Sequence, residues 1–257
     1  MRIEQAIFTS VRSERLEGYQ LAGRSSGIGE QLARELTAWG PAHDSLLSDE
    51  PGASSVNYHV LASGDCCLSL TCLAGAEYSG RGGGRVYSQM FVVPREALEL
   101  FAWDPFLILR ALSAAGRVVV YDNVPETLPT VPLLGRTDKP DESLARQVIE
   151  EIGPKVFDDV VEAVASSTSV AVLTSGHVER LYQAILHSFA PEDRLTISFT
   201  TNLKDSARRP FKLFVLPNDP SIVRQSQRLN GAKVVDLVGE DVGFSGWLST
   251  VGRSSVG

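Results

Sequence analysis

The sequence holds little cysteine: three residues, Cys66, Cys67 and Cys72, two of them adjacent. An odd, clustered set of thiols builds no disulfide framework and excludes the small disulfide-stapled secreted scaffolds. No apolar run approaches the roughly 20 residues that a membrane-spanning helix needs. The first residues, Met1-Arg2-Ile3-Glu4-Gln5, turn polar at once and lack the apolar core of a secretory leader. A cytoplasmic protein is expected. Positive charge is in deficit, 24 Lys+Arg against 31 Asp+Glu for a net charge of −7, which excludes coating nucleic acid through bulk charge. Internal repeats and low-complexity tracts are lacking as well. What is there is an ordinary globular composition, 43% hydrophobic and 21% charged over 257 residues, enough for one or two domains.

Hydrophobic patterning changes character along the chain. In the first half, residues 6–11, 18–22, 55–61, 66–73 and 85–93 alternate like antiparallel strands, with a turn at 62–65 and Pro94 closing the last. Helical patterns cover 28–39, 95–101 and 105–115, and a strand covers 117–121. Four prolines (Pro125, Pro129, Pro132, Pro140) then mark a connector. Beyond it come helices over 142–152 and 155–165, a strand over 169–173, a helix over 177–189, strands over 194–200 and 211–216, a helix over 220–229 and a strand over 233–238. Alternating strands and helices favour a parallel α/β layer. The expected fold is therefore α+β. A mixed, largely antiparallel subdomain spans 1–135, a three-layer α/β subdomain spans 140–240, and 241–257 reads as a tail or truncated linker.

Gly23-Arg24-Ser25-Ser26-Gly27-Ile28-Gly29 resembles the cofactor-binding opening of the short-chain dehydrogenases, where glycines let the backbone approach a pyrophosphate at a helix N-terminus. That family activates a tyrosine with a lysine four residues on. Residues four before the five lysines are Gly135, Glu151, Thr200, Arg208 and Leu229, so the pair is missing. The residues before the motif also lack the continuous apolar run of a buried parallel strand. A helix entry with Ile28, Leu32 and Leu36 as its buried stripe is the simpler reading. An NAD(P)-dependent oxidoreductase stays an alternative. A cysteine hydrolase is another, since Cys66, Cys67 and Cys72 coexist with His43 and His59. The cysteine spacing suits neither that site nor zinc, and no catalytic residue, metal or cofactor is implied.

Two loops suit an anion better. In Glu77-Tyr78-Ser79-Gly80-Arg81-Gly82-Gly83-Gly84-Arg85, glycines let the backbone bring Arg81 and Arg85 toward one phosphate or carboxylate, with Tyr78 and Tyr87 flanking. In the α/β half, Ser175 and Gly176 follow one strand and open a helix. Thr200 and Thr201 end another strand, with Lys204, Arg208 and Arg209 just beyond. Ligands of open α/β sheets bind at such carboxyl ends. A nucleotide or an acidic protein surface would fit these groups.

Several blocks taken together resemble a bacterial family. They are Glu4-Gln5-Ala6-Ile7-Phe8-Thr9-Ser10, Gly18-Tyr19-Gln20-Leu21, Ser26-Gly27-Ile28, Trp39-Gly40-Pro41-Ala42-His43-Asp44-Ser45-Leu46, Val56-Asn57-Tyr58-His59, Glu77 to Gly83 and Ser198-Phe199-Thr200-Thr201. They look like the N-terminal domain of GTPase-associated adaptor proteins, encoded beside a GTPase in conflict and stress systems. The resemblance covers most of 4–120 and, more faintly, 166–240. It implies a non-enzymatic adaptor or sensor with a GTPase as partner, and a chain that is either the N-terminal portion of a longer protein or a short version of the family.

Overall fold

The computed structural model describes residues 1–12, 17–50, 52–76, 84–137, 141–174, 176–237 and 252–254. Strands β1 (Arg2–Arg12) and β2 (Glu17–Ser25) form an antiparallel hairpin, followed by helix α1 (Glu30–Trp39). Strands β3 (Ser54–Val60), β4 (Cys66–Ala76) and β5 (Gly84–Val93) make an antiparallel meander, and β5 also pairs with β1. Helices α2 (Arg95–Leu100) and α3 (Pro105–Ala114) and short strands β6 (Val119–Tyr121), β7 (Thr127–Leu128) and β8 (Val131–Pro132) come next. The last two lie within the proline-rich stretch and lace it onto the sheet: β7 pairs with β2, and β8 with β1.

The second half supplies α4 (Glu142–Ile152), α5 (Pro154–Ser166), β9 (Val170–Leu173), α6 (Glu179–His187), α7 (Pro191–Arg194), β10 (Phe199–Thr200), β11 (Leu213–Leu216), α8 (Pro220–Asn230) and β12 (Lys233–Asp236). A separate pairing joins β13 (Gly252–Ser254) to β6. Strands β10, β11, β9 and β12 run parallel to one another. Strand β10 also pairs antiparallel with β3 through Phe199–Tyr58 and Thr200–Asn57. That two-residue joint makes one eleven-stranded mixed sheet of both halves, in the order β12-β9-β11-β10-β3-β4-β5-β1-β2-β7 with β8 beside β1. The α+β class holds: antiparallel strands come first, parallel strands second.

Alternation on the strands explains the layers. Val56, Tyr58, Leu68, Leu70 and Phe91 on the antiparallel side, with Val170, Val172, Leu213 and Val215 on the parallel side, bury one face against α2 to α6. On the opposite face, Ala6, Phe8, Cys67, Met90 and Val92 meet Ala33 and Leu36 of α1, while Ala171, Leu173, Phe214 and Leu216 meet Val223 of α8. Phe199 crosses the joint, stacked on Phe106 at 4.9 Å and on Tyr58 at 5.6 Å. Caps follow the local chemistry. Asp104, Asp141 and Asp219 accept bonds from the first turns of α3, α4 and α8, and Pro105 and Pro220 occupy first-turn positions that need no donor. Gly231, at φ +61°, ends α8 in the left-handed conformation.

One expected strand differs. Residues 191–194 form α7 and the strand shrinks to Phe199–Thr200. The cause is Arg194, whose buried side chain donates to the carbonyls of Phe189 (3.0 Å), His187 (3.4 Å) and Ala102 (2.8 Å). It thereby closes the end of α6. The Ala102 carbonyl it holds belongs to a pair of left-handed non-glycine residues, Ala102 (φ 55°) and Trp103 (φ 58°).

Immediately after this strained pair sits Asp104, fully buried. Its Oδ1 accepts from the backbone N–H groups of Phe106 (2.9 Å) and Leu107 (3.3 Å). Its Oδ2 meets Gln183 Nε2 and, at 2.8 Å, His187 Nε2, both on α6. The carboxylate thus ties the helix layer of the first half to that of the second.

Candidate functional site

The register places every predicted binding loop at one edge of the sheet. Because β10 runs antiparallel to β3 and parallel to β11 and β9, the carboxyl ends of β9, β10 and β11 lie on the same edge as Ala76 and Gly84, where the arginine-rich loop leaves β4 and enters β5. With strands about 4.8 Å apart, Gly176 after β9 and Arg85 on β5 are five strands and about 24 Å from each other. They do not share one ligand. Thr200, Thr201, Arg208 and Arg209 lie between them.

At that midpoint the sheet face carries a buried polar row. Asn57 Nδ2 donates to Ser69 Oγ and Thr71 Oγ1 (3.1 Å each), and Thr71 meets Ser88 Oγ at 2.9 Å. Asn57 Oδ1 accepts from Ser55 Oγ (2.7 Å) and Thr200 Oγ1 (2.6 Å). The Thr200 hydroxyl also accepts from the Leu203 amide (3.1 Å), and Thr201 Oγ1 accepts from the Val56 amide (2.9 Å). A hydroxyl has one proton and two lone pairs. The Thr200 hydroxyl is therefore occupied in holding β10 against β3, and Thr201 Oγ1 accepts across the same joint. Side chains of this kind read the same in sequence whether they face a ligand or a neighbouring strand.

Beyond Thr201 the chain turns over the 42–47 loop. Leu46 bridges Leu203, the Lys204 amide donates to Ser45 O (2.8 Å), and Lys204 Nζ pairs with Asp44 at 2.6 Å. Trp39 stacks on His59 at 3.8 Å and meets the edge of Phe211 at 5.2 Å. Two sequence blocks some 150 residues apart, Trp39–Leu46 and Ser198–Thr201, thus meet in one corner. Arg208 is exposed. Arg209 is buried, its Nε lacks a hydrogen-bond partner among the described residues, and burial holds its pKa below the ordinary arginine value. Next to this corner, between the 204–207 turn, the end of β11 and α8, lies a cavity of about 430 Å³. Sequence reasoning missed its lining: Leu47, Leu216, Pro217, Ile222 and Gln225 carry no motif.

Of the other predicted residues, Gly176 is exposed and its amide donates to Thr174 Oγ1 (3.1 Å). Arg85 Nε donates to Ala74 O (2.9 Å). Tyr78, Arg81 and Ser175 lie outside the described residues. Tyr87 is no stacking platform: it is buried, with its hydroxyl donating to Val119 O and accepting from the Tyr121 amide.

The glycine motif proves to be a packing device. Strand β2 enters it antiparallel to β1, not as the first strand of a parallel unit. A Cβ on Gly23 would lie 2.1 Å from the Pro125 carbonyl oxygen, and one on Gly27 2.4 Å from the Glu4 carboxylate. The Gly27 amide donates to that carboxylate at 3.3 Å. Glu30, in the first turn of α1, is paired with Arg24. A pyrophosphate would meet negative charge there. An open groove of about 920 Å³ runs past Gly23 to Ser26 and is lined by both Arg24 and Glu30.

The thiols are equally unsuited to attack. Burial pushes Cys66 and Cys72 up to about 11, and Cys67 higher still. Cys66 is engaged with Tyr58 Oη at 3.0 Å. Desolvation drives His59 down to about 3, so it is neutral beneath Trp39. Among the described residues no cluster of three or more His, Cys, Asp or Glu is arranged to hold a metal, and no helix is long and apolar enough to cross a membrane.

The family profile described as GTPase-associated protein 1, N-terminal domain type 2, matches residues 2–133. No curated protein and no solved structure matches the chain. The matched residues run from β1 through β8 and cover half of the sequence, including the 39–47 loop and the buried row on β3, β4 and β5. The chain belongs to the family of GTPase-associated protein 1 N-terminal domains of type 2.

Proposed function

We propose that this protein is a non-enzymatic adaptor or sensor domain that works with a partner GTPase in a bacterial conflict or stress system, in the cytoplasm. The observation that carries this reading is the family match over residues 2–133. Two others support it: Cys66 and Cys67 are buried and Cys72 half-buried, with burial raising all three thiols, and the space beside Gly23 and Gly27 is taken by Pro125 and Glu4. The partner engages the sheet edge from which the binding loops leave. Arg81 and Arg85, with Tyr78, take an acidic protein surface or a nucleotide. Ser175, Gly176, Thr201, Arg208 and Arg209 belong to the loops alongside, and Thr200 ends the strand that leads into one of them. The test is co-expression with the GTPase encoded beside the gene, followed by affinity purification and a GTP-hydrolysis assay. Co-purification that weakens about tenfold or more in Arg81→Ala/Arg85→Ala, with an unchanged thermal midpoint, supports it. A GTPase that neither binds the folded chain nor changes its turnover refutes it.

A further inference from the structure

At one end of the eleven-stranded sheet a stretch of edge is left open. Strand β7 pairs with β2 only through Arg24–Thr127 and Ser25–Leu128. On its inner side β2 is laddered to β1, from Arg12–Glu17 to Ala6–Arg24. On its outer side, Gln20 to Gly23 face no strand among the described residues. The path of 124–126 supplies the reason. This segment passes so close to Gly23 that a Cβ there would lie 2.1 Å from the Pro125 carbonyl oxygen. It reaches the edge only at Glu126, whose carbonyl accepts from the Arg24 amide at 3.1 Å. An open edge presents a row of backbone donors and acceptors, which an extended chain matches in register.

This edge forms one side of the groove of about 920 Å³, whose lining also includes Ala33 and Thr37 of α1 and Val124. Leu21 packs with the apolar cluster on the α1 face of the sheet, and Val124 with the cluster on the opposite face. Side chains of an added strand alternate between faces, so one set would meet Leu21, Ala33 and Thr37, and the other Val124. The groove carries both signs of charge, Arg24 and Arg34 with Glu30 and Glu126. Arg24 is paired with Glu30, so neither sign is in excess. We infer that the open edge of β2 takes an extended, uncharged segment of a partner protein as an added strand, in line with β7. The occupant is a strand because the edge offers backbone groups at a spacing of about 3.3 Å per residue, and because β7 of this chain already uses the next two positions. This surface is separate from the arginine-rich loop between β4 and β5, and the inference holds whether or not the partner there is a GTPase.

The probe is a random heptapeptide library displayed on phage and selected against the whole folded chain. Enriched peptides are synthesised, labelled and titrated by fluorescence anisotropy. The expected result is saturable binding of peptides that alternate small apolar with polar residues, and slowed deuterium exchange of amides within 20–23. Single N-methyl groups moved along the peptide backbone should weaken binding about tenfold at alternate positions and little at those between, because only every second amide of a strand faces its neighbour. Thr37→Trp, at an exposed position in the groove, should block the same peptides, whereas Ala38→Trp, exposed on α1 outside the groove, should not. Thermal midpoints confirm that each variant is folded. Failure to enrich any peptide that protects 20–23 overturns the inference. A response to N-methylation without alternation, or equal affinity for the folded Thr37→Trp variant, overturns it too.

Discussion

Removing the Asp104 carboxylate should loosen the tie between the two helix layers. The side chain is fully buried and engaged four times: with Phe106 N, Leu107 N, Gln183 Nε2 and His187 Nε2. Asp104→Ala deletes an N-cap worth about 1 kcal/mol. It also strands two buried donors on α6, each worth about 1–3 kcal/mol when left unpaired. The sum is about 3–7 kcal/mol. For a chain of this size that lowers the thermal midpoint by about 6–28 °C. Asp104→Asn keeps an acceptor for the cap, and its amide can donate to His187 Nε2 once the imidazole takes its other neutral tautomer, so it should lose less than half as much. Guanidinium titrations followed by tryptophan fluorescence and far-ultraviolet dichroism give both numbers. A loss below about 1 kcal/mol in Asp104→Ala, at unchanged transition slope, would refute the reasoning: the pair would then be a bystander to packing.

Gly23→Ala drives a methyl into the Pro125 carbonyl and should destabilise by about 2 kcal/mol or more, whereas Gly29→Ala, which faces open space, should fold normally; equal midpoints would contradict the close-approach account. Neither NAD(H) nor NADP(H) should bind the wild-type chain in calorimetry, and micromolar affinity would revive the dinucleotide reading. At pH 8 a thiol held at about 11 is ionised in about one molecule per thousand, so native Cys66 and Cys72 should react with an aromatic disulfide far more slowly than in guanidinium; equal rates would show the thiols open. His59, neutral when folded and pushed down to about 3 by burial, protonates more readily unfolded. Stability should therefore be fully present above about pH 6.5 and fall as pH drops toward 3, by up to about 1.4 kcal/mol per pH unit from this group. Stability curves of wild type and His59→Leu that run parallel over that window would show that His59 contributes no slope.

Short-range chemistry was largely legible in the sequence. Alternation marked β1, β3, β4 and β5, and helical patterns from Pro105 and Pro220 marked α3 and α8, because those signals act within a few residues. What was not legible depends on partners far along the chain. The joint of β10 with β3 spans two residue pairs and is held by Thr200 with Asn57, 143 positions apart. Arg194 looked like strand and became a helix end because the carbonyls it seeks belong to α6 and Ala102. Gly23 and Gly27 looked like phosphate-binding glycines, yet their reason is the close passage of Pro125 and Glu4. At the candidate site the polar residues Thr200, Thr201, Arg208 and Arg209 were visible by type. The apolar cavity wall was not, since Leu47, Leu216 and Ile222 acquire meaning only when three separate elements converge.

The central claim is that this domain acts through a GTPase. Isothermal titration of the folded chain into a purified candidate partner GTPase, taken from the gene's neighbourhood if one is encoded there and loaded in turn with GDP and with a non-hydrolysable GTP analogue, tests it most directly. The account predicts saturable binding at micromolar affinity or tighter to at least one nucleotide state, reduced about tenfold or more by Arg81→Ala/Arg85→Ala. Absence of heat or complex with either loaded form, from a chain whose thermal unfolding is cooperative, would contradict it.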